Sequence, residues 1–410
     1  MTQSNDLSTD VVIVGGGIVG ATMAALLAEL PLRVVLIDSG PWEEAPALLP
    51  DQFDPRVSAL TAATRRSFMD LGVWPGIAER RRCPYREMHV WDADGTGSIH
   101  FSAADIDQDE LGTIVENSVV MAALRERLEL VDNLEVLAGQ AVNELDMADD
   151  ENDSGILLGT DQGTRLHTAL LIAADGANSP LRGMAGFRTR EWDYGHEALV
   201  TTVRTSKAHE HTAWQRFMGT GPLAFLPLLP APESDNQHFC SIVWSTTPDE
   251  AARLLALEDA TFCRQLGASF EQRLGEIEHA APRFSFPLRQ RHAIDYVKPG
   301  LALIGDAAHT IHPLAGQGVN LGILDAVALA AELRRGLQAG RRPGDITLLR
   351  RYQRARIGHN QSMMWLMEGF KHLFAAQSLP VRWLRNMGMS GVDNLAVVKN
   401  QLARRAMGLE

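Results

Sequence analysis

Three glycines near the start of the chain have the spacing of a phosphate-binding turn. Gly15, Gly17 and Gly20 form a G-x-G-x-x-G, and Asp38 lies 18 positions after the last of them. The first glycine permits a tight turn, the second lets the backbone approach a pyrophosphate, and the third allows close helix packing. The carboxylate could accept hydrogen bonds from ribose hydroxyls. The pattern predicts a dinucleotide site but does not distinguish NAD from FAD.

Two later segments place a carboxylate directly after an apolar run. Asp175-Gly176 ends the run Leu170–Ala174, and Gly305-Asp306 ends the run Leu301–Ile304. Ligands of open parallel sheets bind outside the carboxyl ends of the strands, so both carboxylates are candidate ligand-binding groups. The alternative for Asp175-Gly176 alone is an ordinary turn, because this pair is common in turns.

A glycine-rich loop and a helix follow the second carboxylate. The candidate binding residues here are Pro313, Gly316, Gln317, Gly318, Val319 and Asn320. The proline stiffens the approach to the loop, and the start of the helix could hold N–H groups against a developing negative charge. His309 and His312 have a spacing that suits one helical face. No HExxH pattern accompanies them, which favours a structural or cofactor-adjacent role over metal ligation.

Together these motifs resemble those of a known enzyme family. Segments 15–20, 175–176 and 305–322 are similar to the dinucleotide, "DG" and "GD" motifs of the single-component flavoprotein aromatic hydroxylases. The likeness continues through Pro55–Leu60 and Val115–Ser118 and covers most of the chain. The last motif is similar to the form in the UbiH/UbiF/VisC branch of ubiquinone-biosynthesis hydroxylases, nearest to the VisC-type C5-hydroxylase.

The resemblance implies FAD as the cofactor, NAD(P)H as the electron-donating co-substrate and O2 as the oxidant. It places Asp306 at the ribityl or pyrophosphate part of FAD and residues 316–320 along the isoalloxazine. It places Asp175 near the pyrophosphate and the passing nicotinamide cofactor. It also makes Arg56 the candidate catalytic residue beside the flavin, although by itself Arg56 would be an ordinary surface ion-pair residue. No metal is expected.

The implied reaction is hydroxylation of the aromatic ring of a polyprenylated phenol in ubiquinone biosynthesis, through NAD(P)H-reduced flavin and its C4a-hydroperoxide. One alternative is an FAD hydroxylase of a soluble phenolic or polyketide substrate, because fold alone does not set the substrate. An NAD-dependent dehydrogenase would leave the motif at 305–320 unexplained. A scaffold subunit of a quinone-synthesis assembly without flavin is disfavoured by the intact glycines and carboxylates.

These motifs need a parallel sheet covered by helices to position them. Val11–Val14, Ala21–Leu30 and Arg33–Ile37 predict a strand, a helix and a second strand. Alternating segments between Trp192 and Phe286 predict an antiparallel sheet. We therefore expect an α/β fold with a Rossmann-like, three-layer FAD-binding domain built on a parallel sheet. A smaller antiparallel-sheet substrate domain and a C-terminal helical segment complete it. The expected bounds are 1–80, 106–187 and 287–340 for the first, 81–105 and 188–286 for the second, and 341–410 for the last.

Composition limits the partners and the compartment. The chain has 410 residues, of which 45% are hydrophobic and 22% charged, as in folded soluble proteins. Its net charge of -13 disfavours nucleic acid as a partner. The three cysteines form no CxxC pair, which fits a reducing compartment. With no basic leader and no uninterrupted apolar span, the sequence predicts a cytoplasmic protein.

Two basic segments have more than one interpretation. Arg80–Arg82 is predicted to be a solvated face. Residues 341–410 carry 12 Lys+Arg against 4 Asp+Glu, a local charge of +8, and include a run of methionines and aromatics at Ser362–Ala376. That run is either a helix packed on the catalytic body or a Met-rich surface at the mouth of a lipid tunnel. In the second case the basic region would contact the inner face of the membrane peripherally. The resemblance also suggests association with other ubiquinone-synthesis proteins.

Overall fold

The structure is a computed structural model that describes residues 6–42, 48–93, 97–147, 155–310 and 318–375, with residues 395, 399–401, 403–404 and 407–408 near the end. At 194 and 363–375 it describes the backbone alone. The helices are α1 (Ile18–Leu27), α2 (Ala62–Asp70), α3 (Trp74–Arg80), α4 (Asn117–Glu129), α5 (Pro180–Met184), α6 (Pro248–Leu255), α7 (Asp259–Ser269), α8 (Gly318–Gln338) and α9 (Ile346–Ala375).

The strands follow in chain order. They are β1 (Asp6–Val14), β2 (Val34–Asp38), β3 (Val57–Leu60), β4 (Cys83–Tyr85), β5 (Glu87–Asp92), β6 (Ser98–Ser102), β7 (Gly112–Glu116), β8 (Leu134–Ala138), β9 (Val142–Met147), β10 (Ile156–Thr160), β11 (Arg165–Ala173), β12 (Thr189–Thr205), β13 (Thr212–Met218), β14 (Gly221–Leu228), β15 (Phe239–Thr246), β16 (Ile277–Ala280), β17 (Phe284–Ala293), β18 (Val297–Lys298), β19 (Leu301–Leu303) and β20 (His309–Thr310).

The first sheet carries the three sequence motifs. Strands β19, β11, β1, β2 and β8 lie side by side and pair in parallel. Val11, Val12 and Ile13 of β1 are fully buried, as expected for a strand covered on both faces. Helix α1 packs against both α4 and α8. The three motifs follow β1, β11 and β19, so the carboxyl ends of neighbouring strands bring them to one edge. The predicted Rossmann-like architecture is confirmed.

The second sheet is mostly antiparallel and lies beside this edge. Its order is β20-β17-β12-β15-β14-β13-β5-β6, with β16 on β12, and only β13 and β5 pair in parallel. The predicted strands at Ala198–Thr205 and Phe239–Trp244 pair directly, as in the register of Thr201 with Ile242. Because β17 continues in this sheet to Ala293, it crosses the expected domain boundary at 287. The proposed domain bounds otherwise stay a prediction.

The C-terminal part begins with the 30-residue helix α9, which agrees with the helical segment expected there. It packs on α8 and on the end of the first sheet. Among the residues that the structure describes, no helix is both long and apolar enough to cross a membrane.

Candidate active site

The glycine fingerprint forms a turn closed against the neighbouring strand. Gly15 has a φ of +106°, and a Cβ there would overlap the carbonyl oxygen of Ala174 at the end of β11. A Cβ on Gly20 would overlap the carbonyl oxygen of Gly15. Gly17 differs, because a Cβ there would meet no atom within 4 Å. Two glycines therefore serve packing, and the third leaves open space in front of the N-terminus of α1.

Asp38 holds the same turn from the end of β2. Its carboxylate accepts hydrogen bonds from Gly16 N at 2.5 Å and from Gly40 N at 2.7 Å. The first bond ties the glycine turn to the end of β2, so the carboxylate helps to fix that turn. Its expected contact with a ribose stays a prediction.

A buried arginine joins the DG loop to the GD loop. Arg182 of α5 donates to the carbonyl oxygens of Ala177 and Ala307, each at 2.9 Å. Asp175 accepts from Leu181 N at 3.2 Å, and burial raises the pKa of this carboxyl above its ordinary value. Gly176 has a φ of +83°. The two loops are thus held together by Arg182, which no sequence motif indicated.

The GD turn lies where two helices cross. Gly305 has a φ of +59°, and a Cβ there would come within 3.1 Å of Val19 of α1. A Cβ on Gly322 of α8 would come within 2.6 Å of the same valine side chain. Asp306 follows in a short turn with its side chain exposed to a cavity. Small residues therefore let α1, α8 and the GD turn meet at one point.

A buried carboxylate on α8 fixes the GD turn from behind. One oxygen of Asp325 accepts from Gly305 N at 3.1 Å and pairs with His309 Nε2 at 2.5 Å. The other accepts from Arg356 Nε at 2.7 Å and Asn360 Nδ2 at 3.1 Å, both on α9. Burial opposes ionisation, but the neighbouring His309 and Arg356 outweigh it and lower the pKa of Asp325 to about 2.

The sequence contained a signal for this carboxylate. Asp325 lies four positions after Leu321 and four before Leu329, on the buried stripe of α8. An acid on such a stripe needs partners, because an unpaired buried charge is costly. Its partners Arg356 and Asn360 lie on α9, and no local spacing identifies them.

The spacing of His309 and His312 would suit one helical face, but the structure places His309 in a strand. His309 lies in β20 and pairs in register with His292 of β17. His312 falls outside the described residues. Within the described part of the chain, no group of three His, Cys, Asp or Glu residues could hold a metal ion. His309 has a structural role as a partner of Asp325.

One cavity of about 650 Å³ receives all three motif loops, a size within the roughly 300–1,000 Å³ typical of cofactor sites. Six predicted site residues line it, namely Gly17, Arg56, Gly176, Asp306, Gly318 and Val319. Its far wall is the second sheet, through Ala198, Val200, Val243, Phe286 and Leu288. Pro313, Gly316 and Gln317 fall outside the described residues.

Asn320 does not line the cavity, and its side chain bonds to residues of an earlier segment. Its Oδ1 accepts from Thr61 N at 3.0 Å and Thr64 Oγ1 at 2.7 Å, and its Nδ2 donates to Ala59 O at 2.8 Å. These bonds tie the first turn of α8 to the end of β3 and to α2. Contact of the Asn320 side chain with an isoalloxazine stays a prediction.

Arg56 lies on the cavity wall with its backbone held on both sides. Its N–H donates to Asp54 at 2.9 Å, and its carbonyl accepts from Asn117 N at 3.0 Å. Its guanidinium has no partner among the described residues and is exposed at the cavity. An unpartnered guanidinium on a backbone held in this way is suited to bind an anion.

These features fit a dinucleotide with a flat ring system. The open space at Gly17 lies before the α1 N-terminus, where pyrophosphate is stabilised by N–H groups and the helix dipole. The profile of the family described as FAD binding domain matches residues 8–365. The chain belongs to this FAD-binding family. FAD is its cofactor, and the alternative of an NAD-dependent dehydrogenase is excluded.

Relatives named as hydroxylases or monooxygenases align with nearly the whole chain. The 3-demethoxyubiquinol 3-hydroxylase of Escherichia coli (strain K12) is 36% identical over 98% of this chain and 99% of its own. Ubiquinone hydroxylase UbiL of Rhodospirillum rubrum is 34% identical over 100% and 91%. The ubiquinone biosynthesis monooxygenase COQ6, mitochondrial, of Homo sapiens is 33% identical over 97% and 92%. The chain is an FAD-dependent aromatic hydroxylase, as the resemblance implied.

Solved structures share the fold. The crystal structure of p-nitrophenol 4-monooxygenase PnpA from Pseudomonas putida DLL-E4 superposes on this chain with a TM-score of 0.77. The two are 20% identical in sequence, and the alignment covers 98% of both chains. PqsL from P. aeruginosa in complex with 2-aminobenzoylacetate has a TM-score of 0.75 at 24% identity, covering 94% of this chain and 100% of its own. At these identities the likeness establishes the fold alone.

Proposed function

We propose that this protein hydroxylates the aromatic ring of a polyprenylated phenol in ubiquinone biosynthesis, with electrons from NAD(P)H and oxygen from O2. The full-length likeness to ubiquinone hydroxylases supports this substrate class. The structural observation that carries the proposal is the apolar wall opposite the motif loops. Assignment to the VisC-type branch stays a prediction.

The apolar face of the second sheet continues past the residues that line the cavity. Val200 pairs with Val243 on one side and Phe284 on the other, so these side chains share one face of the sheet. Ala198 likewise pairs with Phe286. Phe286 is 44% exposed at the cavity, and Phe284, two positions away, is 43% exposed. Burial of a hydrocarbon chain is favourable by about 0.8 kcal/mol per CH2 group. A prenyl tail on this face would cover rings that are otherwise in water.

FAD and two parts of the cavity wall have different roles in the reaction. When bound, FAD supplies the hydride acceptor and the activation of O2 for insertion into an electron-rich ring. The start of α8 at Gly318 offers N–H groups and the positive end of a helix dipole to negative charge on the ring system. The sheet wall excludes water from the reacting ring.

Few groups at the cavity can transfer a proton. Of the described residues that line it, those with ionisable side chains are Arg56, Arg289 and Asp306. Arginine is always protonated, which leaves Asp306 as the described group able to gain or lose a proton. We infer that the electron donation of the phenol itself suffices for attack on the oxidant.

The basic C-terminal region would hold the enzyme near a lipid substrate. Arg350, Arg351 and Arg354 are exposed on α9 and could contact anionic headgroups. Arg356 on the same helix is buried in the Asp325 network and must be left intact. Reversing the three exposed arginines to glutamate is expected to weaken binding to anionic liposomes. Unchanged binding would remove the membrane contact from the proposal. Association with other ubiquinone-synthesis proteins stays a prediction.

The proposal is tested by quinone profiling in a strain that lacks this protein. We expect ubiquinone to be lost and a polyprenylated phenol lacking one hydroxyl group to accumulate, which would also identify the ring carbon. Normal ubiquinone with no accumulated precursor would contradict the proposal. The purified enzyme should couple NAD(P)H oxidation to that precursor and not to the same ring without its tail. Equal coupling would favour the soluble-phenol alternative.

A further inference from the structure

A buried ion pair lies behind the loop that carries Arg56. The side chains of Arg81 and Glu116 are 3% and 2% exposed. Arg81 Nε lies 2.5 Å from Glu116 Oε2, and Nη2 lies 2.8 Å from Oε1, a two-pronged contact. The expectation that Arg80–Arg82 forms a solvated face is therefore wrong at Arg81.

The pair holds residues 49–56, which we call the clasp loop. Arg81 donates to the carbonyl oxygens of Leu49 at 3.0 Å and Gln52 at 2.9 Å. Its guanidinium also lies 4.4 Å from the centre of the Phe53 ring. These contacts come from one side chain and reach three residues of a segment without regular secondary structure.

Glu116 holds the other end of the clasp loop. It accepts from Asp54 N at 2.7 Å. The Asp54 carboxylate in turn accepts from Arg56 N at 2.9 Å and from Ser118 N at 3.0 Å. Arg56 is thus the last residue of a chain of bonds that begins at the ion pair. The side chain of Arg56 itself is left unpartnered at the cavity.

Stability alone does not account for this arrangement. Removing two charges from water is costly, and well-packed apolar residues in place of a buried pair are often as stable or more so. Burial raises the pKa of Glu116 above its ordinary value although Arg81 opposes the change. What apolar residues could not supply is the set of directed bonds to Leu49, Gln52 and Asp54.

We propose that Arg81 and Glu116 are positioning residues that fix the clasp loop and thereby hold the Arg56 guanidinium where it binds an anionic group of FAD. The inference rests on the proposed contact of Arg56 with the cofactor, not on the identity of the phenol. Phe53 of the clasp loop also packs on Phe239 of β15, with ring centres 5.2 Å apart. The loop therefore also joins the FAD-binding body to the substrate sheet.

The test is a mutant cycle on FAD affinity, measured from the rise in flavin fluorescence as the holoenzyme is diluted. The pair is replaced by Arg81→Met with Glu116→Leu, in the native chain and in Arg56→Met. In the native chain, the double replacement should weaken FAD binding about tenfold. In Arg56→Met, the same replacement should change FAD affinity by at most about twofold, because the effects of residues that act through one group are not additive. Arg56→Met alone should also weaken binding.

An equal loss of FAD affinity in both backgrounds would overturn the proposal, because it indicates general support of the fold. The proposal would also be overturned if FAD affinity did not fall in either background, or if Arg56→Met alone left it unchanged. If the apolar pair fails to fold, Arg81→Lys replaces it in the same cycle, since lysine keeps the charge but cannot make the two-pronged contact. The matched control is Arg65→Met with Glu110→Leu, an Arg–Glu pair 2.6 Å apart that does not bond to the clasp loop. It should leave FAD affinity within about twofold. Because no phenol enters this assay, failure of the proposed substrate leaves the result interpretable.

Discussion

Replacing Asp325 by asparagine should separate the charge of the buried carboxylate from its shape. The native carboxylate accepts on both oxygens, from Gly305 and His309 on one side and from Arg356 and Asn360 on the other. An amide accepts on one side only. If its oxygen faces α9, its NH2 group faces Gly305 N, and His309 must change tautomer to accept.

Two costs follow from this geometry. Arg356, 7% exposed, is left without a countercharge, and breaking a buried pair costs about 3–5 kcal/mol. Gly305 N is left facing a donor, and an unsatisfied buried group costs about 1–3 kcal/mol. If the two costs add, the free energy of unfolding falls by about 4–8 kcal/mol. FAD affinity should fall as well, because the GD turn loses its acceptor.

The assay is urea unfolding of the holoenzyme at one fixed excess of FAD, since bound cofactor contributes to stability. The control is Glu332→Gln on the same helix. Glu332 pairs with the exposed Arg335, so this substitution should lower the free energy of unfolding by at most about 1 kcal/mol. A loss of less than about 1 kcal/mol in Asp325→Asn, or a loss equal to that of the control, would refute the account of this network.

Acid titration gives an independent check on the same carboxylate. Its pKa lies at about 2, below the ordinary 3.8, so its ionised form is favoured by folding. This contribution is present above pH 3.8 and lost as the pH falls towards 2. Asp325→Asn should lack this part of the acid unfolding profile, and an unchanged profile below pH 4 would contradict the assignment.

Three further changes test other parts of the molecule. Gly17→Val fills the open space before α1, so FAD affinity should fall at least about tenfold. The FAD-free protein should still fold with a small loss of stability, because valine is a poorer N-cap than glycine. Unchanged FAD affinity would contradict the assigned pyrophosphate position. Phe286→Ser removes an apolar side chain whose burial contributes about 1.5–3 kcal/mol. We therefore expect kcat/KM to fall roughly tenfold to a hundredfold for a prenylated phenol only, with more H2O2 formed per NAD(P)H oxidised. An equal fall for a tail-free phenol would argue against a tail on this wall. Burial lowers the pKa of His209 from 6.5 to about 4, so folding favours its neutral form and stability is lost as pH falls from 6.5 to 4. The free energy of unfolding would be measured at a series of pH values. His209→Gln should reduce its slope against pH by up to about 1.4 kcal/mol per pH unit, and an unchanged slope would show that His209 is not the titrating group.

The parallel core could be predicted because its signals are local. Val11–Val14 is an unbroken β-branched and apolar run followed by glycines, which is typical of a strand buried on both faces and ending at a ligand. The second sheet was also predictable, because Ala198–Thr205 is rich in β-branched residues, which are enriched in strands. Once these strands are placed, Gly17, Gly176 and Asp306 must meet at one edge.

The supporting contacts could not be predicted, because they join residues far apart in sequence. Asn320 bonds to residues more than 250 positions earlier, and its place in the loop does not indicate those partners. His309 pairs in register with His292 of β17, and no local spacing indicates that pairing. Arg81 lies in a run of arginines that is typical of a protein surface, yet its side chain is buried in an ion pair with Glu116. In each case a polar side chain could bond to many different groups, and the tertiary packing determines which of them it reaches.

The most direct test of the proposed function is the source of the new hydroxyl oxygen. The purified holoenzyme would be given NAD(P)H, isotopically labelled O2 and the polyprenylated phenol that accumulates in the deletion strain, and the product analysed by mass spectrometry. The account predicts one labelled oxygen atom on the aromatic ring of each product molecule, with NAD(P)H consumed in equal amount. An unlabelled product, or NAD(P)H oxidation that yields only H2O2 with this phenol, would contradict it.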